Sequence, residues 1–233
     1  MRFEITPDVF ERLPNLRVAA AVATEINNQI ERPTVAMYWR SVWESAAVAA
    51  QFGNAQSHPL IKPWRDSFQR MGVSGKQFPS SVEALLRRAL KGGAPFFINP
   101  LVDWYNAVSL WHYVPAGGFD LAEVTDPLEL RVSRAGDTFT ALDDDQALAV
   151  PPGEVSYAAD ATILTRHIVW RQAKTALITP WTGDVVLVSE VLAELGPDAP
   201  IAVADDFARG LRDYFGVASK TWVLDPAQPT IAW

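Results

Sequence analysis

Residues Asn99–Leu121 read NPLVDWYNAVSLWHYVPAGGFDL, and this stretch sets the pattern for the rest of the chain. Asn99 followed by Pro100 is a helix start, because asparagine caps free N–H groups and proline has none to lose in the first turn. Leu101, Trp104, Tyr105, Val108 and Trp111 then fall on one helical face, which predicts a buried aromatic stripe. Pro115 stops the helix, and Gly117-Gly118 predicts a turn. Upstream, Asn15–Ile26 reads as a buried strand and Val42–Phe52 as an alanine-rich helix. A short amphipathic helix is predicted from Pro63 to Met71. Another is capped by Ser80 with Glu83 three residues on, and is closed by Gly92-Gly93. Downstream of Asp126 the period changes to short β-rich runs: Leu128–Val132, Thr138–Leu142, Glu154–Tyr157, Ile163–Trp170, Ala176–Thr179 and Val185–Val188. A last helix is predicted over Ala204–Phe215. Helices early and strands late, without βαβ alternation, make an α+β fold.

The chain has 233 residues, a net charge of −7, 49% hydrophobic residues, nine tryptophans, eleven phenylalanines and no cysteine. That composition excludes a disordered chain, a disulfide scaffold and thiolate chemistry. Met1–Leu13 carries Glu4, Asp8 and Glu11 and no apolar core, so it does not read as a signal peptide. The longest aliphatic run, Val18–Ala23, is far short of a membrane span, and a soluble, cytoplasmic protein is expected. No repeat or linker divides the chain, so one domain over 1–233 is expected. Charge is uneven: Lys62, Arg65, Arg70, Lys76, Arg87, Arg88 and Lys91 face only Asp66 and Glu83, a local balance of +5 that leaves −12 elsewhere. Such a basic segment suits contact with a polyanion, or two solvated helix faces.

The common catalytic signatures are missing, including G-x-S-x-G, the P-loop, G-x-G-x-x-G and H-E-x-x-H. His58, His112 and His167 lack ligand spacing and read as structural. Asp143-Asp144-Asp145 reads as a solvated turn rather than a metal site. No metal or cofactor is expected. Asp103, Asn106 and Ser109 form a polar strip beside the aromatic stripe, and such groups either cap neighbouring backbone or face a ligand. The N–H groups of Gly117 and Gly118 are candidates for an anion nest or oxyanion site.

The strings NPLVDWYNAVSL (99–110), VPAGGFDL (114–121) and LELRVSRAGDTFTAL (128–142) resemble the editing module of the phenylalanyl-tRNA synthetase beta subunit. The likeness continues through PPGEVSY, Trp170-Arg171 and TGDVVLVSE, and spans about 15–194. It leaves 195–233 as a C-terminal helix and tail. It implies β-sandwich-like sheets flanked by helices and a module that acts in trans. The implied activity is hydrolysis of the ester between a wrong amino acid and the acceptor end of a tRNA. An aminoacyl ester is already activated, so one oriented water and a stabilised oxyanion suffice.

The resemblance assigns Asn106 and Ser109 to orienting substrate or water, and the Gly117 and Gly118 backbone to approaching the ester. Pro115 and Asp120 would shape the turn. Arg131 and Arg171 would touch the terminal nucleotides, Trp170 would wall the pocket, and Thr179 and Thr182 would face the amino acid. Lys62, Arg65, Arg70, Arg87, Arg88 and Lys91 would steer the acceptor stem. Two departures stand out: Gly117 replaces the histidine of the family's P-x-H-A-F-D turn, and Leu177 stands near the place of its acidic residue. A non-catalytic module that binds tRNA or an amino acid is the alternative, and a small-molecule hydrolase a weaker third.

Overall fold

The unbroken apolar run after Asn15 becomes β2 (Leu16–Ala23), in which every residue but Arg17 is buried. The reason is that both faces of this strand are covered. Leu16, Val18, Ala20 and Val22 pack into one apolar cluster, while Ala19, Ala21 and Ala23 pack into another. β2 pairs antiparallel with β10 (Val185–Leu192) on one side and β11 (Ser219–Leu224) on the other. β3 (Gly117–Asp120) closes the opposite edge, so the sheet runs β11-β2-β10-β3.

One face of this sheet carries α5 (Pro100–His112) and α6 (Ala199–Phe215), whose Trp104, Tyr105, Val108, Phe207 and Leu211 fill the cluster. Burying each such side chain stabilises the fold by roughly 1.5–3 kcal/mol. Gly210 makes the helix contact possible, because a Cβ there would lie 2.3 Å from Cζ2 of Trp104. The other face packs on a second sheet. Its strands are β1 (Arg2–Ile5), β4 (Leu128–Val132), β5 (Thr138–Thr140), β6 (Ala147–Ala149), β7 (Val155–Ala159), β8 (Thr162–Arg166), β9 (Arg171–Gln172) and β12 (Thr230–Ala232). They run β12-β1-β4-β7-β8-β5-β6, with β9 beside β8. The fold is therefore α+β, two stacked sheets flanked by helices, in a computed structural model that describes residues 1–233.

The remaining helices are α1 (Pro7–Arg12), α2 (Pro33–Ser45), α3 (Lys62–Arg70) and α4 (Ser81–Leu90). Trp39 and Trp43 of α2 pack with Leu86 of α4 and Leu110 of α5 in a separate helical cluster. No helix is long and apolar enough to cross a membrane.

Several sequence expectations are corrected. The helix expected at Val42–Phe52 starts at Pro33, and Ala46–Phe52 is a tighter 3-10 segment. Trp111 is 57% exposed, so the aromatic stripe ends at Val108. The last helix starts at Ala199, five residues earlier than the apolar period suggests. Ala176–Thr179 is not a strand: Ala176 has a φ of 58°, and side-chain amides hold the segment, Asn99 donating to the Ile178 carbonyl and Asn28 to that of Thr179. Residues 195–233, expected as a helix and tail, supply α6, which covers one sheet, β11, which extends it, and β12, which pairs with β1 in the other. Gly117-Gly118 lies in β3 rather than in a turn.

Candidate functional site

A cleft of about 420 Å³ opens between α4, α5, β3 and β9. Ser81, Ala84, Leu85 and Arg88 line it from α4, Val102, Tyr105 and Asn106 from α5, and Gly117, Trp170, Leu177 and Ile178 from the strand side. A smaller chamber of about 80 Å³ continues beneath it and shares Ser81, Gly117, Trp170 and Gln172 with the cleft. Its deeper walls are Gly118, Tyr157, Arg171, Val188 and Glu190.

α5 places Asn106 by a fixed frame. Asn99 caps the helix as expected, its Oδ1 accepting the Val102 N–H at 3.0 Å. Asn28, far away in sequence, accepts the Leu101 N–H at 3.0 Å and donates to Asn99 at 3.0 Å, so two asparagines share the helix start. The polar strip then divides. Asp103 accepts the Ile98 N–H at 2.8 Å, and its burial raises its carboxyl to about 6 against that contact. Ser109 is fully buried, its hydroxyl donating to the Val114 carbonyl at 2.6 Å where Tyr113 turns left-handed and ends the helix. Only Asn106 faces the cleft, and its side-chain amide engages no protein group. Ser109 is thus a helix-end residue and does not touch the cleft.

The two glycines have different surroundings. In an antiparallel strand the N–H and C=O of one residue point to the same side, and successive residues alternate. Gly118 accepts from Gln172 Nε2 at 2.9 Å on the free edge of β3, so its own N–H points to that edge. By the alternation, the N–H of Gly117, opposite Val188, is directed toward β10. Two adjacent N–H groups therefore do not converge, and the expected nest is absent. A single edge amide, that of Gly118, points away from the β10 ladder.

Trp170 and Arg171 are set by a turn where a strand is expected. His167 and Ile168 have φ values of 47° and 55°, ending β8 at Arg166. Glu154 holds this turn by accepting from Arg166 Nε at 2.7 Å and from the His167 N–H at 2.6 Å. Trp170 leans edge-on against Phe78 at 4.6 Å. Arg171 lines the chamber and pairs with Asp143. The acidic turn is solvated, with Asp145 pairing Lys174. No group of three or more His, Asp or Glu side chains is placed to hold a metal ion.

Other expected site residues lie elsewhere. Arg131 is 1% exposed and bound to Asp137, so it offers nothing to a nucleotide. Asp120 accepts from the Thr182 hydroxyl at 2.6 Å and the Ala122 N–H at 3.0 Å, and Thr182 accepts the Thr179 N–H at 2.9 Å. These three brace the loop behind the cleft rather than line it. Pro115 lines the chamber, its carbonyl taken by the Ser189 hydroxyl at 2.6 Å. Of the basic segment, Arg65 and Arg87 are both held by Glu83, so the expected capping box is half formed: Ser80 accepts the Glu83 N–H while the Glu83 carboxylate turns to the arginines. Lys62 pairs with Asp66 at 2.6 Å, and Arg70 donates to Ser67 at 2.9 Å. Arg88 packs over Phe96 at the cleft, and the exposed Lys91 follows at the end of α4 with no ion pair.

Sequence reading missed Glu190 and Tyr157. Tyr157 ends the expected run Glu154–Tyr157 and Glu190 lies two residues beyond the expected run Val185–Val188, while in the structure they sit on β7 and β10 and their hydroxyl–carboxyl contact joins the two sheets at the chamber. Burial raises Glu190 to about 7, offset in part by the hydrogen bond from Tyr157. Burial, and then the Glu190 charge, push the Tyr157 hydroxyl well above its ordinary value.

The family model described as the B3/4 domain matches residues 63–196, more than half of the chain. Among solved structures, an N-terminal fragment of the phenylalanyl-tRNA synthetase beta subunit from Pyrococcus horikoshii is similar at 8% identity with a TM-score of 0.44. The match covers 93% of this chain and 49% of that one, so this chain spans about half of that fragment. No curated protein matches.

Proposed function

The chain belongs to the B3/4 domain family, and we propose that it acts in trans as an aminoacyl-tRNA deacylase. The reaction is hydrolysis of the ester that joins a wrongly attached amino acid to the tRNA acceptor end. The substrate class comes from the resemblance of 99–110 and 114–121 to a synthetase editing module. The observation that carries the reading is the Asn106 amide, free of any protein partner, facing a cleft whose opposite wall is the Gly117–Gly118 edge. Asn106 is half-buried, and its amide on a largely apolar wall is open to a ligand. In this site Asn106 would orient the ester or the attacking water, and the Gly118 N–H would receive the charge that develops on the carbonyl oxygen. Trp170 offers a flat wall for a terminal base or ribose, and Arg88 supplies positive charge at the cleft.

The non-catalytic alternative draws support from the cleft lining, which contains no histidine and no serine–base pair. Single-turnover deacylation of a panel of correctly and wrongly charged tRNAs separates the two. Release of one class of amino acid is expected, slowed about tenfold by Asn106→Ala, the loss of roughly one orienting hydrogen bond. Intact esters across the panel, at enzyme excess and low salt, would leave the binding module as the account.

A further inference from the structure

Glu190 differs from the other buried carboxyl groups of this chain. Glu83, Asp137 and Glu154 are paired with arginines, while Asp103 and Asp120 accept backbone N–H groups from neighbouring residues. Glu190 is 3% exposed, and its partners are the Tyr157 hydroxyl and its own amide. A buried carboxylate without a cation costs stability, and replacing it by a neutral group would relieve that cost. Its position gives a reason for keeping it. Val188 pairs with Gly117, and Glu190, two residues on, projects from the same face of β10 into the chamber. At about 80 Å³ the chamber has room for two or three waters at roughly 30 Å³ each. It meets the substrate cleft at Gly117.

We propose that Glu190 is the general base of the ester hydrolysis, with Tyr157 setting its proton affinity, an inference that rests on the deacylase reading. The Glu190 carboxylate takes one proton from a chamber water as the water oxygen bonds to the ester carbonyl carbon. When the tetrahedral intermediate collapses, the bond to the ribose oxygen breaks, and the Glu190 carboxyl returns its proton to that oxygen. One water is consumed, and the products are the free amino acid and the free tRNA hydroxyl.

The titratable and charged groups that share the chamber with Glu190 are few. Tyr157 faces it from β7, and Arg171 from β9 with its guanidinium taken by Asp143. α4 and β3 contribute only the uncharged Ser81, Gly117, Gly118 and Phe119. On β2, Arg17 stands opposite Val191 and is turned to the Leu16 carbonyl and Asp225. Burial places the carboxyl near 7, where a base both holds and releases a proton at physiological pH.

The test is the pH profile of single-turnover deacylation on whichever charged tRNA the wild type cleaves, after subtraction of spontaneous hydrolysis. The wild-type rate is expected to rise through an inflection near 7 and then level. Glu190→Gln, which keeps an acceptor for Tyr157, is expected to lose about 10²-fold or more and the inflection with it. Tyr157→Phe is expected to keep the inflection but move it to higher pH, because the hydrogen bond that favours the carboxylate is gone. A merely structural Glu190 would lower the yield of folded protein without removing an inflection. Wild-type rate with an unchanged inflection in Glu190→Gln would overturn the proposal and leave the deacylase standing. If Glu190→Gln does not fold, an inflection unmoved by Tyr157→Phe overturns it equally. Absence of deacylation by the wild type would remove the underlying reading and this inference together.

Discussion

Arg131→Ala is expected to lower the folding free energy by about 3–5 kcal/mol, measured by urea unfolding at neutral pH. The guanidinium is 1% exposed and fully engaged. Nη1 and Nη2 reach Asp137 at 2.6 and 2.9 Å, Nε reaches Glu129 at 3.1 Å, and Nη2 also donates to the Asp160 carbonyl at 2.7 Å. Truncation leaves the buried Asp137 carboxylate with the Arg134 N–H at 2.7 Å as its remaining donor. Most of the cost is that stranded charge rather than the net worth of the pair. The pH dependence follows from the sign of the shift. Burial alone would raise Asp137, but the contacts with Arg131 and Arg134 outweigh it and hold the carboxyl below the usual range. A depressed carboxyl contributes stability that is present above its unfolded value and is lost as pH falls through the folded one. The gap between wild type and variant is therefore expected to narrow as pH falls through the aspartate range, where the stranded carboxyl of the variant protonates, and to be gone once the depressed wild-type carboxyl is protonated too. A gap that stays constant into acid would show that Asp137 is not the group left stranded.

The adjacent glycines of β3 give the second large effect, because equal substitutions there should separate stability from activity. A Cβ at Gly117 meets no atom within 4 Å, and the position opens on both the cleft and the chamber. Gly117→Ala is expected to change stability by less than about 0.5 kcal/mol. Its methyl group would enter the space that the proposed function gives to the ester, and a displacement of about 1 Å is expected to lower the rate on the order of 10²-fold. A Cβ at Gly118 would lie 2.7 Å from Leu187 Cδ2 and 3.3 Å from the Val186 carbonyl, so that strand must shift. Gly118→Ala is expected to cost about 1–3 kcal/mol from overpacking. Thermal unfolding and single-turnover rates on the same preparations check both. Full activity in Gly117→Ala would place the reacting ester elsewhere.

How far the sequence foretold this arrangement depends on the range of the forces involved. α4 and α5 were legible because their caps and apolar periods are local: Ser80, Asn99 and Pro100 lie within one turn of the helices they start. β2 was legible because a strand covered on both faces leaves no polar alternation. The turn at His167 was not, since Glu154, thirteen residues away, supplies the contacts that hold its left-handed backbone. Nor were β1 and the edge strand β12, which are short and pair with each other across the whole chain. At the site, Asn106 and Gly117 could be singled out as a polar residue on an aromatic helix and a glycine beside a proline. Ser109, Asp120, Thr179, Thr182 and Arg131 look alike on paper, yet Ser109 closes its own helix and the others are taken up by protein partners away from the cleft. Glu190 ends a run of five apolar or small residues, and only the register of β10 against β3 shows that it reaches the chamber.

The central claim is that the cleft walled by Asn106, Gly117 and Trp170 receives the aminoacyl end of a tRNA. A crystal structure with a non-hydrolysable amide analogue of a 3′-aminoacyl-adenosine tests it most directly. The account predicts the analogue's carbonyl beside Gly117, its oxygen toward the Gly118 N–H, and the Asn106 amide within hydrogen-bond distance. The analogue seated instead in the groove between Tyr38, Trp111 and Tyr214, or absent at concentrations that saturate binding in solution, would contradict it.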